Sequence, residues 1–521
     1  MMCNTLINWD QRKAGWLFIL LVILAVPLKP NAPLRPQRVG IINYSNETED
    51  GYAVYSWSNV YESFEARALG LIEFTAGGKE VLQMGPDAYL SIKQRRGLNT
   101  RQVIFEPDEG GNVQMIYLRN SREKPLDAGA RSWIREMLLV TYHDTNIGAV
   151  TRVRSLYEAG GEEAVLAALY YITGTHIESL PFSSLLGPKL GFNTTRIPKP
   201  SSSSEQRIYL EYLLKQDISP EALLGAVFLS GKIINSSSRL AKLLIDISIR
   251  FPSSPALSLV LFEASKEIDS SSEHRRALVS IAGRVELDDA SGVALAKSIA
   301  GISSSSEKRA TVVAVIPLLS RSDEAFQELL LTIASISSSS EKRAAIVAGA
   351  ELRDAPAAIY AGLAKVAGTI SSSSERRRAL ENLAISAQPT QPFVDSYLSS
   401  ARGIHSSEER QALDALVARG DLSDRQLAEV IEVAGTMSSS SEMSRCLSRI
   451  AAAPNLGERG VSAYLREVSS ISSSSEERRA LEALITEDDL ELDERMMTIL
   501  LGVVSAITSS SEQSYLLRLV V

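Results

Sequence analysis

Arginine, serine and histidine are the side chains whose spacing in this sequence invites chemistry. Arg207, Arg275, Arg309, Arg343, Arg377, Arg410 and Arg478 each stand two residues after a glutamate that closes a run of serines. A row of guanidinium groups could grip carboxylates or phosphates bidentately, as an acidic-partner stripe. It could equally pair with the glutamates of its own or the next serine run, where exposed ion pairs contribute only ~0.2–1 kcal/mol each. The serines themselves could act as nucleophiles only with a base in reach. Among the repeated runs, only those beside His274 and His405 have an imidazole nearby in sequence.

Other constellations are absent. His143, His176, His274 and His405 form no His-Glu-x-x-His pair, so no two imidazoles share a helical face for zinc. Cys3 and Cys446 are the only cysteines, too few for a zinc-ligand set or a disulfide framework. The stretch Gly225 to Lys232 resembles a phosphate loop weakly. Its glycines are misspaced and Ile233 stands where a magnesium-binding hydroxyl belongs. Neither catalytic residues, cofactor nor metal is therefore expected.

The elements that would position these side chains are helices in a tandem array. Taking Glu205, Arg239, Glu273, Glu307, Glu341, Glu375, Glu408, Glu442, Glu476 and Glu512 as anchors, the steps are 34, 34, 34, 34, 34, 33, 34, 34 and 36 residues. Such regularity is the signature of a repeat architecture. A serine three residues before a glutamate predicts a capping box, in which the hydroxyl accepts from the third backbone amide and the carboxylate reaches back to the cap amide. The pairs are Ser202 with Glu205, Ser270 with Glu273, Ser304 with Glu307, Ser338 with Glu341, Ser372 with Glu375, Ser439 with Glu442, Ser473 with Glu476, and Ser509 with Glu512. The fifth position after each anchor is apolar in all ten copies, from Leu210 to Leu517. One hairpin cannot bury such a face, whereas stacked hairpins can. Residues 201–521 are thus expected to form an α-solenoid of about ten helical hairpins. The tetratricopeptide signature residues are missing, which favours a HEAT-like array.

Upstream the character changes. Residues 14–28 carry no charge and lie between Arg12/Lys13 and Lys29. At ~1.5 Å per residue they span about 22 Å, short of a ~30 Å hydrocarbon core. They read as a signal-peptide core or a short anchor, with the anchor favoured because no good cleavage site follows. Residues 1–30 thus form the leader or anchor and 31–50 a proline-rich linker. Residues 51–125 read as an antiparallel β-meander, with strands near 53–58, 64–74, 88–94, 101–106 and 112–119. Residues 126–200 read as a helical connector, starting at Asp127 and ending in an irregular stretch, Gly174–Pro200.

The composition fits this plan: 45% hydrophobic, 22% charged and only 6% aromatic residues suit stacked helices. A net charge of −8 offers no basic footprint for nucleic acid.

Runs such as Ile302-Ser303-Ser304-Ser305-Ser306-Glu307-Lys308-Arg309, with Trp133 and Gly160-Gly161-Glu162-Glu163 upstream, resemble uncharacterised bacterial envelope proteins. They are similar, too, to the helical repeats behind the membrane peptidase domain of BlaR-type regulators, without the peptidase. The resemblance implies an extracytoplasmic interaction module and supplies no catalytic residue. The resulting expectation is a non-enzymatic, membrane-tethered scaffold, in the periplasm or at the cell surface, that binds another protein. The alternative is a ligand-sensing envelope protein using the β domain and the 174–200 stretch. Self-association stays open in both.

Overall fold

The computed structural model describes residues 41–45, 53–173 except 76, and 203–520 except 320–321, 353–355 and 488–493. The apolar segment 14–28, the Gly174–Pro200 stretch, His176 and Ser202 lie outside the described residues. No described helix is long and apolar enough to cross a membrane. The chain is mainly helical, with a small antiparallel sheet domain, and divides into one unit up to Ile147 and another from Gly148.

The described residues of the first unit form nine strands. β1 (Ile41–Ser45), β2 (Ala53–Ser58), β3 (Glu62–Leu69), β6 (Tyr89–Arg96), β7 (Asn99–Pro107), β8 (Val113–Arg119) and β9 (Arg122–Glu123) form one antiparallel sheet in that order. The short hairpin of β4 (Ile72–Phe74) and β5 (Val81–Met84) forms a second. Alternation decides the core face. Phe64, Ala66, Leu90, Ile92, Val103 and Phe105 are buried, and successive strand residues point to opposite faces. Helix α1 (Ala128–Asp144) covers that face with Trp133, Ile134, Met137 and Leu138. Asp127 caps it, accepting from the Ala130 amide at 2.6 Å. Gln94 sits on the apolar face because the buried indole of Trp133 donates to its Oε1 at 2.6 Å.

The expected strand 64–74 is two strands. Gly70, at φ +68°, turns the chain so that Phe74 leaves the main sheet and pairs with Val81.

The second unit begins earlier than the serine runs. Helix α2 (Ala149–Thr173) is kinked at Gly160 and Gly161, the latter at φ +65°, and packs against both helices of the first hairpin. The expected connector 126–200 is therefore not one body: α1 belongs to the sheet domain and α2 to the helical array.

Ten first helices, from α3 (Ser203–Leu213) to α21 (Ser510–Val520), alternate with nine second helices, from α4 (Pro220–Ile233) to α20 (Glu494–Ala506), among the described residues. From α5 (Ser237–Arg250) onward each first helix packs on the first helix of the next hairpin. Each second helix packs on the next second helix. This gives two rows around one continuous core running from Ala149 to Leu516. The fifth position after the anchor is 0% exposed in the nine copies followed by another hairpin. In the last copy Leu517 is 38% exposed and Leu516 is buried instead, because no described hairpin covers Leu517.

Candidate functional site

The serine runs start helices, and their hydroxyls bond both within a run and across to the neighbouring hairpin. Ser304, Ser338, Ser372 and Ser439 each accept from the amide of the glutamate three residues on, at the long distances of 3.4, 3.5, 3.4 and 3.4 Å. Ser270 and Ser473 make no side-chain cap bond, and the Ser509 hydroxyl meets Ser511 at 3.0 Å. Among the described serine runs, the expected second half of the capping box is not made. The amides of Ser270, Ser304, Ser338 and Ser372 donate to the hydroxyls of Ser237, Ser271, Ser305 and Ser339 in the preceding hairpin, at 3.2, 3.2, 3.4 and 3.4 Å.

Those same hydroxyls continue the chain of bonds. Ser271 meets Ser303 at 2.8 Å, Ser305 meets Ser337 at 2.9 Å, and Ser339 meets Ser371 at 3.1 Å. After a break at Ile404, which takes the place of the first serine, the pattern resumes through Ser406–Ser438, Ser440–Ser472 and Ser474–Thr508. Complete capping boxes occur instead on two second helices, at Asp288/Ser291 and Ser423/Gln426.

The anchor carboxylates are drawn away from their caps by the arginine row. The Nε of Arg309 bonds Glu341 at 2.8 Å, that of Arg343 Glu375 at 2.5 Å, that of Arg410 Glu442 at 2.6 Å, and that of Arg478 Glu512 at 2.6 Å. Arg275 pairs in the same way with Glu307, and Arg377 with Glu408. Each arginine thus reaches the anchor of the next hairpin. Two departures follow from the sequence. Arg207 faces Glu211 of its own helix at 3.6 Å, because the next anchor is Arg239. Glu476 pairs with Arg479 of its own helix at 3.0 Å, because Ser444 stands where the preceding arginine would be. Glu205, the first anchor, is fully buried and takes Arg152 from α2. Glu273 pairs with Arg276.

This row of pairs allows a direct test. Arg309→Glu sets two carboxylates side by side at Glu341 and should cost on the order of 1 kcal/mol. The loss should shrink at high salt, where exposed charges are screened, and the added exchange Glu341→Arg should restore it. Urea midpoints at two ionic strengths read this out. An unchanged midpoint in the single variant would show that the pair contributes nothing.

A second row, one residue after each anchor, carries no signal in the sequence pattern because its residue types differ. His274, Lys308, Lys342, Glu409 and Glu477 occupy it and are all buried. The row lies against the C-terminal ends of second helices. Lys308 Nζ donates to Ser335 Oγ at 3.1 Å, just past α10 (Asp323–Ala334). Lys342 Nζ donates to Thr369 Oγ1 at 3.0 Å, past α12 (Ala357–Ala367). Arg376 Nε donates to the Ile370 carbonyl at 2.9 Å. Cations belong at that end of a helix dipole. His274 meets Ser298 at 2.9 Å, and burial lowers its pKa to about 4, so the ring is neutral. Glu409 occupies the same place with the opposite charge. Burial raises its pKa to about 7, against smaller lowering by Gly403, Thr436 and Arg402.

The consequence of Glu409 for pH is signed. Its folded pKa lies above the usual 4.5, so between about 4.5 and 7 the unfolded chain has lost a proton that the folded chain keeps. Stability therefore falls as pH rises through this window. Glu409→Gln should remove that part of the slope and stabilise the protein at pH 8 by about 1–2 kcal/mol, after discounting for local relaxation. Thermal unfolding of parent and variant from pH 4.5 to 8 measures it. Parallel curves would show that Glu409 titrates normally.

Cys446 is fully buried, and its thiol is pushed well up by that burial. No group of three or more potential metal ligands occurs among the described residues. Two grooves open where first helices turn into second helices. One, of about 480 Å³, is lined by Ile218, Pro220, Leu223, Phe251 and Pro252, with Asp217 and Glu221 at hand. The other, of about 300 Å³, lies among Val285, Leu287, Leu318 and Leu319, beside Asp288 and Asp289. Comparisons with protein-family models, with curated proteins and with solved structures give no match.

Proposed function

We propose that residues 148–521 are an α-solenoid of HEAT-like hairpins serving as a non-enzymatic scaffold for another protein. In this reading residues 14–28 tether the scaffold to a membrane and the helical array lies on the extracytoplasmic side. The observation that carries it is the contrast between the two ends of the first helices. At the serine end, hydroxyls, arginines and anchor glutamates bond one another within a helix or across to the neighbouring hairpin. At the other end, a helix of 12 residues and so about 18 Å away, the loops leave apolar grooves beside acidic residues. A partner presenting apolar side chains flanked by basic ones suits that edge. The arginine row then acts on stability rather than recognition.

Photo-crosslinking residues placed at Phe251, Leu318 and Arg309 in the membrane-bound chain test this. Defined crosslinks to one partner from Phe251 and Leu318, with none from Arg309, are expected. Crosslinks from Arg309 alone, or none from any position, would overturn it.

A further inference from the structure

We infer that one end of the sheet domain is built to enter the surface of an anionic lipid bilayer. Three side chains stand there almost wholly in solvent: Val60 at 91%, Tyr61 at 82% and Leu98 at 94%. They lie on two adjacent turns, β2–β3 and β6–β7, held together by the Gly97 amide donating to the Tyr61 carbonyl at 3.0 Å. Large apolar side chains clustered on fixed turn tips cost solubility and mark a contact surface.

The occupant follows from charge and chain path. Around these tips, and around the neighbouring β8–β9 turn at Asn120 and Ser121, stand Arg95, Arg96, Arg101, Arg119 and Arg122 against Glu62 and Glu123. This end is basic although the chain as a whole carries −8. At the opposite end the β7–β8 turn, Asp108-Glu109-Gly110-Gly111-Asn112, is acidic and lacks a large apolar side chain, and the most exposed large apolar residue at that end of the main sheet, Leu71 after β3, is 50% exposed against 82% or more at the three tips. Ile41 pairs with Ser58, so the chain enters the sheet at the basic, apolar end. Only residues 29–40 separate the uncharged stretch 14–28 from that entry, and fully extended they reach at most about 40 Å. Apolar tips ringed by arginines match acyl chains below anionic headgroups, and a tyrosine suits the boundary between them. The inference rests on the tethered reading above only for the nearness of the bilayer.

The test uses the full chain with Cys3→Ser, in which Cys446 is buried and protected from labelling. An environment-sensitive fluorophore is attached at Leu98→Cys or, at the opposite sheet end, at Glu109→Cys. Vesicles are phosphatidylcholine alone or mixed with phosphatidylglycerol. With phosphatidylglycerol, the label at 98 should shift to the blue, brighten several-fold and be quenched by nitroxide-bearing lipid, while the label at 109 stays aqueous. Added Arg119→Glu and Arg122→Glu should reduce the shift. A chain that floats with the vesicles while the label at 98 stays aqueous overturns this inference and leaves the tether standing. A chain that does not float overturns both. A label at 98 shielded only in native membranes assigns the tips to a protein and likewise overturns the lipid assignment.

Discussion

Replacing Arg152 by methionine should destabilise the helical unit by about 3–5 kcal/mol, the scale for removing one partner of a buried ion pair. The side chains of Arg152 and Glu205 are 2% and 0% exposed, and the Nε of Arg152 donates to Glu205 Oε1 at 2.9 Å. Without the guanidinium, the carboxylate stays in a dry site between α2 and α3. Glu205→Met should cost a similar amount by stranding the arginine. The double variant should recover most of the loss, since two apolar side chains leave no buried charge unpaired. Denaturant midpoints give the three values. A double variant as unstable as the sum of the singles would show that the pair acts through packing and not through charge. Because α2 closes one end of the helical array, hydrogen exchange should locate the damage in the first hairpins. Tandem hairpins touch mainly their neighbours, so distant ones should keep their protection.

The second large effect lies in the sheet domain. Gly78→Ala should cost about 2–4 kcal/mol, through two causes that add. Gly78 has φ +67°, a region that a Cβ penalises and glycine does not. An added methyl would also overlap the ring of Tyr142, which is buried edge-on to Phe74 with ring centroids 5.7 Å apart. Neither side can yield easily: the loop is pinned by the Gly78 amide on the Thr75 carbonyl at 2.7 Å, and Tyr142, on α1, is part of the buried core. Thermal unfolding followed by near-ultraviolet dichroism of the aromatic cluster would report the change. Gly77→Ala, where an added carbon meets open space, is the control. Equal losses at 77 and 78 would mean that the loop, and not the Tyr142 contact, sets the cost.

These two sites mark where sequence reading stops. The 34-residue period, the helix starts at the serine runs and the buried fifth position all depend on residues close together in the chain. Local capping and helical periodicity therefore made them legible. The positions of β6, β7 and β8 were legible for the same reason, from the turn residues between them. Other assignments depended on partners far away in sequence. The anchor glutamates are chemically able to cap their own helices, and the local pattern says that they do. They turn outward because an arginine 31 to 34 residues earlier offers a stronger, charge-assisted bond. The serines likewise bond across hairpins. Nothing near Glu205 in the sequence points to Arg152, which lies 53 residues away.

The sequence by itself thus determined the repeat, its register and the apolar positions that must be covered, since these follow from backbone geometry repeated locally. The tertiary structure alone decided which polar groups meet: arginine with the next anchor, hydroxyl with the next run, and a buried row of varied charge against the helix ends. It also assigned α1 to the sheet and α2 to the array. Burial and partner choice are properties of stacked neighbours, and a single hairpin does not contain them.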